Sequence, residues 1–333
     1  MGYHVRECPF EFSEFPGRYA TPLIGAAGAI VVGIAGCLAA TGMPVTPLIT
    51  VAVGAIAMFL LGRWLMQRGV LTAPLLRQRG VNLEAIREGD TPSIWLCAHL
   101  DTKSQPVPTL VRTVGIILES IGFVLTLALA LAVAAGATVP LWYWELAAAV
   151  TLVGAVPVVL CVVGSRSPGA LDNASGVATV LSAAREVRNT QGVGVLITDA
   201  EELGLAGARA WTMARDQSTA TVLNCDGVDD AGAIQVMFSG GRPDRLLDAV
   251  ARASRSTGVG HHPRRLALGI LTDSVAFTAA GIASVTFSRG SLRSLARVHS
   301  RRDNVAHLRG SGIAETAALM TASAKGLATG DRR

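Results

Sequence analysis

Four apolar runs, at about 20 to 42, 45 to 62, 113 to 136 and 141 to 163, are each long enough and poor enough in charge to cross a bilayer. The last two separate Asp101 from Asp172, so the part of the chain that folds in water must be assembled from pieces interrupted by lipid-seeking segments. Composition agrees: half of the 333 residues are hydrophobic and only 16% are charged, too apolar a balance for one ordinary soluble domain. The expected organisation is an N-terminal segment with a transmembrane hairpin (1–66), a first soluble part (67–112), an inserted transmembrane hairpin (113–163) and a second soluble part (164–333).

Orientation follows from the placement of Lys and Arg. The short turns Gly42 to Pro47 and Gly136 to Leu141 have none, whereas Arg6, Arg18, Arg63, Arg68, Lys103, Arg112 and Arg166 flank the other ends of the runs. The positive-inside rule then puts both termini and the soluble parts of this multi-pass protein in the cytoplasm. Glu7, Glu11 and Glu14 ahead of the first run argue against a cleaved leader. The five cysteines are scattered without disulfide or zinc-ribbon spacing, which suits a reducing compartment. A net charge of +5 without a basic stripe gives no reason to expect nucleic acid as a partner.

Within the runs, Gly25, Ala29, Gly33 and Cys37 recur every four residues and predict a small-residue packing ridge. Trp142, Tyr143 and Trp144 predict an interfacial aromatic belt. Glu119, near one end of its run, is expected to reach headgroup water.

The soluble parts alternate strand-like and helix-like patterns. Ser93 to Ala98, Val193 to Thr198, Ala220 to Cys225, Ile234 to Phe238 and Ser284 to Phe287 predict strands; Ala174 to Val187, Asp244 to Arg255 and Ile313 to Leu327 predict amphipathic helices. The fold class expected is α/β, a mixed central sheet with helices on both faces, plus four transmembrane helices as two hairpins. Antiparallel helices return the chain to the side it left, so the split soluble part can close. Extended chain reach holds the candidate ligands within about 25 to 40 Å of the membrane face.

Acids and imidazoles gather in five segments, three of which directly follow a predicted strand: His99 and Asp101 in WLCAHLDT, Asp172 in GALDNASG, Glu201 and Glu202 in ITDAEELGLAG, Asp226 in LNCDG, and His299 in RVHSRRDN. Open α/β sheets carry their sites at the carboxyl ends of strands. With no HExxH, two histidines and four carboxylates suit a pair of metal ions bridged by one carboxylate. Glu201 and Glu202 are adjacent and point in different directions, so one can ligate while the other handles protons. Taken singly, Asp172 reads equally as a helix cap and Glu201 and Glu202 as first-turn acids; jointly that reading does not explain the recurrence at strand ends.

These five motifs, in this order, resemble the co-catalytic dizinc aminopeptidases of the bacterial leucyl aminopeptidase and aminopeptidase Y type, over about Ser93 to Asp101 and Gly169 to Leu308. The resemblance implies two divalent metal ions, zinc by the family's chemistry, with His99 and Asp226 on one, Glu202 and His299 on the other and Asp172 bridging. It implies Glu201 as general base and Asp101 as the carboxylate that orients His99, with Asp303 acting in the same way on His299. The activity it implies is that of an aminopeptidase; the apolar runs, which the resemblance does not cover, make the expectation a membrane-anchored peptidase acting on peptides near the bilayer. The competing readings are a two-metal amidohydrolase for acyl-amino acids or lipid amides, and a catalytically inactive scaffold. Thr272, Asp273 and Ser274 stand where family members often show Ser, Asp, His, and the inserted hairpin replaces a short soluble loop. Arg289, Arg293, Arg297 and Arg301, spaced by four, predict one cationic face if helical, suited to anionic lipid or a peptide carboxylate. His261 and His262 are expected in a loop, and the oligomeric state is not legible.

Overall fold

The computed structural model describes residues 2–214, 219–267 and 269–330. The chain divides into two compact units, one built from Ser13–Leu76 and Gln105–Gly164, the other from Met1–Phe12, Arg77–Ser104 and Ser165–Arg333.

The first unit is helical. It contains α1 (Phe15–Ala40), α2 (Thr46–Trp64) continued by a π-helical turn (Leu65–Gly69) and α3 (Val70–Thr72), α4 (Thr109–Ala134) and α5 (Leu141–Val159). Its four long helices, Phe15–Ala40, Thr46–Thr72, Thr109–Ala134 and Leu141–Val159, are long and apolar enough to cross a membrane. Large side chains such as Ile30, Phe59, Val124 and Leu152 are exposed around this unit, each at 60% or more. Such a surface suits hydrocarbon, where helices satisfy their own backbone groups, and would be costly in water.

Small residues let the helices meet. A Cβ placed at Gly122 would lie 2.1 Å from Thr151 Oγ1, and one at Gly154 would lie 2.4 Å from the Glu119 backbone nitrogen, so α4 and α5 approach backbone to backbone. The ridge on α1 is shifted from the expected one: Gly25, Gly28, Val32 and Ala35 are buried, whereas Gly33 and Cys37 are exposed. Glu119 also departs from expectation. Its carboxylate turns inward against α1, where a Cβ at Gly28 would lie 2.5 Å from Oε1, because two glycines leave room for it. Trp142 and Tyr143 stack at 3.6 Å and are exposed, but Trp144 is buried with Ala35, Val51 and Ala130.

The second unit is an eight-stranded mixed sheet in the order β1-β2-β4-β3-β5-β8-β6-β7. Its strands are β1 (Tyr3–Ser13), β2 (Arg77–Arg87), β3 (Ile94–His99), β4 (Val193–Thr198), β5 (Thr221–Val228), β6 (Ile234–Phe238), β7 (His261–Arg265) and β8 (Ala283–Arg289). The central four, β4, β3, β5 and β8, are parallel; β2 and β6 run antiparallel to their central neighbours. The helices are α6 (Ser175–Glu186), α7 (Ala206–Met213), α8 (Asp244–Thr257), α9 (Asp273–Ala279), the single turn α10 (Leu292–Leu295) and α11 (Ser311–Gly330).

Alternation along β3 shows how both faces are covered. Ile94, Leu96 and Ala98 pack into one core with residues of α6, α8 and α11, while Trp95 and Cys97 face the other with Leu205, Trp211 and Phe277. Trp211 meets both Trp95 and Phe277 edge-on, at 5.3 and 5.6 Å. The five strands expected from the sequence lie in this sheet, and β1, β2 and β7 add to them. The N-terminal residues, expected outside the soluble part, form β1 beside β2. His261 and His262 lie in β7 rather than a loop, and Pro263 is tolerated there because β7 is an edge.

Candidate metal centre

The carboxyl ends of the parallel strands deliver the chemistry. His99 is the last residue of β3, with its side chain almost wholly enclosed; Glu201 and Glu202 follow β4 by three and four residues; Asp226 lies near the end of β5. Asp172 comes from the turn Ala170–Ala174 ahead of α6, and His299 from the segment between α10 and the 3-10 turn Val305–His307. Ala200, Leu205 and His299 all take positive φ, 55°, 62° and 61°, conformations that L-residues with side chains hold only when their surroundings enforce them.

Asp172 is the hub. Its Oδ1 lies 3.2 Å from His99 Nε2 and its Oδ2 lies 2.9 Å from His299 Nε2. Asp226 Oδ1 completes the first side at 3.6 Å from His99 Nε2, and Glu202 Oε1 the second at 3.2 Å from His299 Nε2. Two donor triads result, His99, Asp172 and Asp226, and Asp172, Glu202 and His299, each with its ligand atoms within 4.8 Å of one another. Glu201 Oε2 stands 4.0 Å from His99 Nε2 and belongs to neither triad. Glu202 Oε1 is buried with no hydrogen-bond partner among the described residues. Hard carboxylate oxygens and imidazole nitrogens converging with a buried acceptor left over are what a pair of divalent cations requires, so the residues fit the group.

The local backbone rules out the alternative readings of single residues. Helix α6 is capped by Ala174 with no side-chain bond, so Asp172 is not its cap. Helix α7 starts at Ala206, so Glu201 and Glu202 precede its first turn.

Electrostatics reflect this crowding of acids. Burial raises the Glu201 pKa well above the usual carboxylate range against the opposing pull of His99, and burial likewise raises Asp226. For Asp172 burial is outweighed by hydrogen bonds from His299 and His99, which hold it well below the ordinary value. Burial disfavours the His99 imidazolium, yet Glu201, Asp101, Asp172 and Asp226 together raise its pKa well above normal. A concentration of negative charge that recruits protons in this way recruits metal cations by the same attraction.

Of the two supporting carboxylates, Asp101 does more than the expected contact to His99 and Asp303 does something else. The His99 Nδ1 partner is the Asp101 carbonyl at 3.0 Å, with the Asp101 carboxylate at 3.5 Å; that carboxylate accepts the backbone N–H groups of Glu201 and Glu202 at 2.9 and 3.0 Å. Asp101 therefore clasps the acidic pair. Asp303 makes no hydrogen bond or ion pair with His299, whose buried Nδ1 has no hydrogen-bond partner among the described residues; the Asp303 carboxylate accepts the Leu171 and Asp172 N–H groups at 2.7 and 3.1 Å. It positions Asp172 because the chain folds back over that turn. Asn173 ties the same turn to β5, donating to the Cys225 carbonyl at 3.0 Å and accepting from Gly227 at 3.1 Å.

Asp303→Ala removes two acceptors from buried N–H groups. The expected outcome is a folded protein with about 10- to 100-fold weaker metal retention, the usual scale for groups that orient ligands. Metal content after dialysis against a weak chelator checks it, and retention equal to wild type would show that Asp172 needs no such support.

Sequence reasoning missed two groups and gave a third, Asp273, no role. Lys103, close after β3, ion-pairs with Glu202 Oε2; its ammonium is disfavoured by burial, but Glu202, Glu201 and Asp172 outweigh this and raise its pKa. Asp229 binds Arg297 and accepts from Ser294 Oγ at 2.6 Å, anchoring the segment that carries His299. Asp273 is fully buried under the centre, hydrogen-bonded by the Thr198 hydroxyl, and burial pushes its pKa up to about 7. The doublet Asp229 and Asp230, three and four residues past Asp226, was a visible signal, and Asp273 stood out in Thr272-Asp273-Ser274; nothing local marked Lys103.

The arginine series does not form one face. Arg289 ends β8 and pairs with Glu315 at 2.6 Å, Arg297 pairs with Asp229, and only the turn α10 between them is helical.

Among solved structures the chain is similar to a zinc aminopeptidase from Bacillus subtilis (20% identity, 74% of this chain and 50% of that one, TM-score 0.49). It is also similar to an aminopeptidase from Aneurinibacillus sp. strain AM-1 (16% identity, 75% and 49%, TM-score 0.48) and to LapB from Legionella pneumophila (16% identity, 74% and 56%, TM-score 0.50). The chain thus spans about half the length of these proteins. No curated protein sequence matches it. The profile of peptidase family M28 matches residues 154–324, more than half of the chain and a stretch that holds Asp172, Glu201, Glu202, Asp226 and His299. On that match, and with a mixed sheet whose strand ends gather two donor triads around one carboxylate, the chain belongs to peptidase family M28.

Proposed function

We propose that the protein is a membrane-anchored zinc peptidase of the aminopeptidase type, with His99 and Asp226 on one ion, Glu202 and His299 on the other and Asp172 shared. The observation that carries this is Asp172, whose two oxygens face two separate imidazoles with Glu201 beside them. When bound, a pair of divalent ions polarises a scissile carbonyl and makes water nucleophilic near neutral pH.

The side chains supply the rest. Glu201, buried and of raised proton affinity, accepts a proton from the attacking water as the new C–O bond forms. It returns that proton to the nitrogen as the C–N bond breaks, so a peptide and water give a carboxylate and an amine. Asp101 holds Glu201 and Glu202 by their backbone, which keeps the base directed at the centre while its neighbour ligates. Asp303 and Asn173 fix the shared carboxylate.

The four apolar helices support a multi-pass anchor, and the Lys and Arg distribution around them supports cytoplasmic termini and a cytoplasmic catalytic unit. Tethering of this kind favours peptides released close to the bilayer as substrates. In carbonate-washed membranes the expected activity is release of N-terminal residues from charged peptides, abolished by a zinc chelator and latent in sealed right-side-out vesicles until detergent opens them. Cleavage of acyl-amino acids or lipid amides but not peptides would replace the peptidase with a two-metal amidohydrolase. Metal binding without turnover of either would leave an inactive scaffold, and activity without detergent would reverse the orientation.

A further inference from the structure

The two donor triads are unequal in their surroundings. In the first, His99 Nδ1 is backed by the Asp101 carbonyl at 3.0 Å, an arrangement that raises the electron density on the ligating nitrogen. In the second, His299 Nδ1 has no hydrogen-bond partner among the described residues although it is buried. Glu202 in the same triad divides its oxygens: Oε1 faces His299 Nε2 at 3.2 Å, and Oε2 is bound by the Lys103 ammonium. The Lys103 side chain is 18% exposed and that of Glu202 3%, so this charge acts at short range in a poorly screened place.

An ammonium there has two consequences. It occupies the second oxygen, which leaves Glu202 only one with which to hold a cation. It also offsets the negative charge of the second triad and repels a dication placed in it, whereas His99, Asp172 and Asp226 have no Lys or Arg ion pair among the described residues.

We infer that Lys103 is a positioning residue that confines Glu202 to a single-oxygen contact and sets the affinity of the second cation position below that of the first, so that one ion is held firmly and the other exchanges. The inference rests on the two-cation reading of the centre. Lys103 thereby makes the second ion, not the protein, the variable part of the assembly: at limiting metal the centre is half filled.

The test is calorimetric titration of zinc into the chelator-stripped full-length protein in detergent, at one fixed near-neutral pH. Wild type is expected to show two binding steps separated by at least about tenfold. Lys103→Met, which keeps the chain volume and removes the charge, is expected to tighten the second step by about 10- to 100-fold, the range typical of groups one contact away from a ligand. It leaves the first step unchanged, which serves as the control for folding, and Lys103→Arg retains the separation. A second step that is unmoved or weakened in Lys103→Met, with the first intact, overturns the role of Lys103 while leaving the two-cation centre standing. Uptake of fewer than two ions by wild type overturns the centre itself, and this inference with it.

Discussion

Glu201→Gln is expected to retain the wild-type metal complement and to lose turnover by about 10²- to 10⁴-fold, the range for removing a general acid–base group. The substitution is nearly isosteric, so the clasp by which Asp101 accepts the backbone N–H groups of residues 201 and 202 survives. What disappears is the group that takes a proton from water. Glu201 lies outside both donor triads, so its loss separates chemistry from metal binding. Metal analysis and peptide turnover on one preparation decide it. Near-normal turnover in the variant would refute proton transfer through Glu201, and loss of metal would make Glu201 a ligand.

Asp172→Ala should do the opposite and abolish both. One carboxylate faces both imidazoles, at 3.2 and 2.9 Å, so its removal strikes both triads at once. Breaking a buried charged contact costs about 3–5 kcal/mol, or about 10²- to 10⁴-fold in affinity for each ion. Asp226→Ala touches one triad alone and is expected to spare the second. Counting ions per protein by mass spectrometry or atomic emission distinguishes these results. An Asp172→Ala protein that still carries two ions, or loses just one, would remove the shared carboxylate from the scheme.

The elements that were legible have simple burial. Strands β3 and β4 are covered on both faces, every residue of each being buried, so they appear in the chain as short apolar runs. The four long apolar helices appear for the converse reason, since apolar residues persist around their whole circumference. Strands β1, β2 and β7 have exposed or charged positions throughout, and β7 reads His-His-Pro-Arg-Arg, so no apolar alternation reveals them. The short helices α7 and α9 are eight and seven residues long, too short for a periodic pattern to stand out.

At the centre, residue type and position just past a strand were enough to single out His99, Glu201, Glu202 and Asp226, while Asp172 and His299, from a turn and a loop, were singled out by their motifs; the structure brings all six together. Their supporting contacts were not readable, and nearness in sequence misled. Asp303 follows His299 by four residues but binds the backbone 131 residues away at Asp172; Lys103 follows Asp101 but meets Glu202, 99 residues on. The four-residue spacing of arginines suggested a helix where most of the backbone is not helical.

What this chain determines by its own sequence is therefore which helices are long and apolar enough to cross a bilayer, which strands are fully buried and which acids and imidazoles gather in motifs beyond them. Those are properties of a residue and its near neighbours, set by the transfer of side chains from water. Only the tertiary structure showed that the two oxygens of Asp172 face the two imidazoles, that the Asp101 carboxylate grips the Glu201 and Glu202 backbone beside its contact to His99, that Asp303 holds the backbone at Asp172, and that the Lys103 ammonium sits on Glu202. Hydrogen bonds and ion pairs act over about 3 Å, and which groups come that close depends on how distant turns are packed over the ends of the sheet.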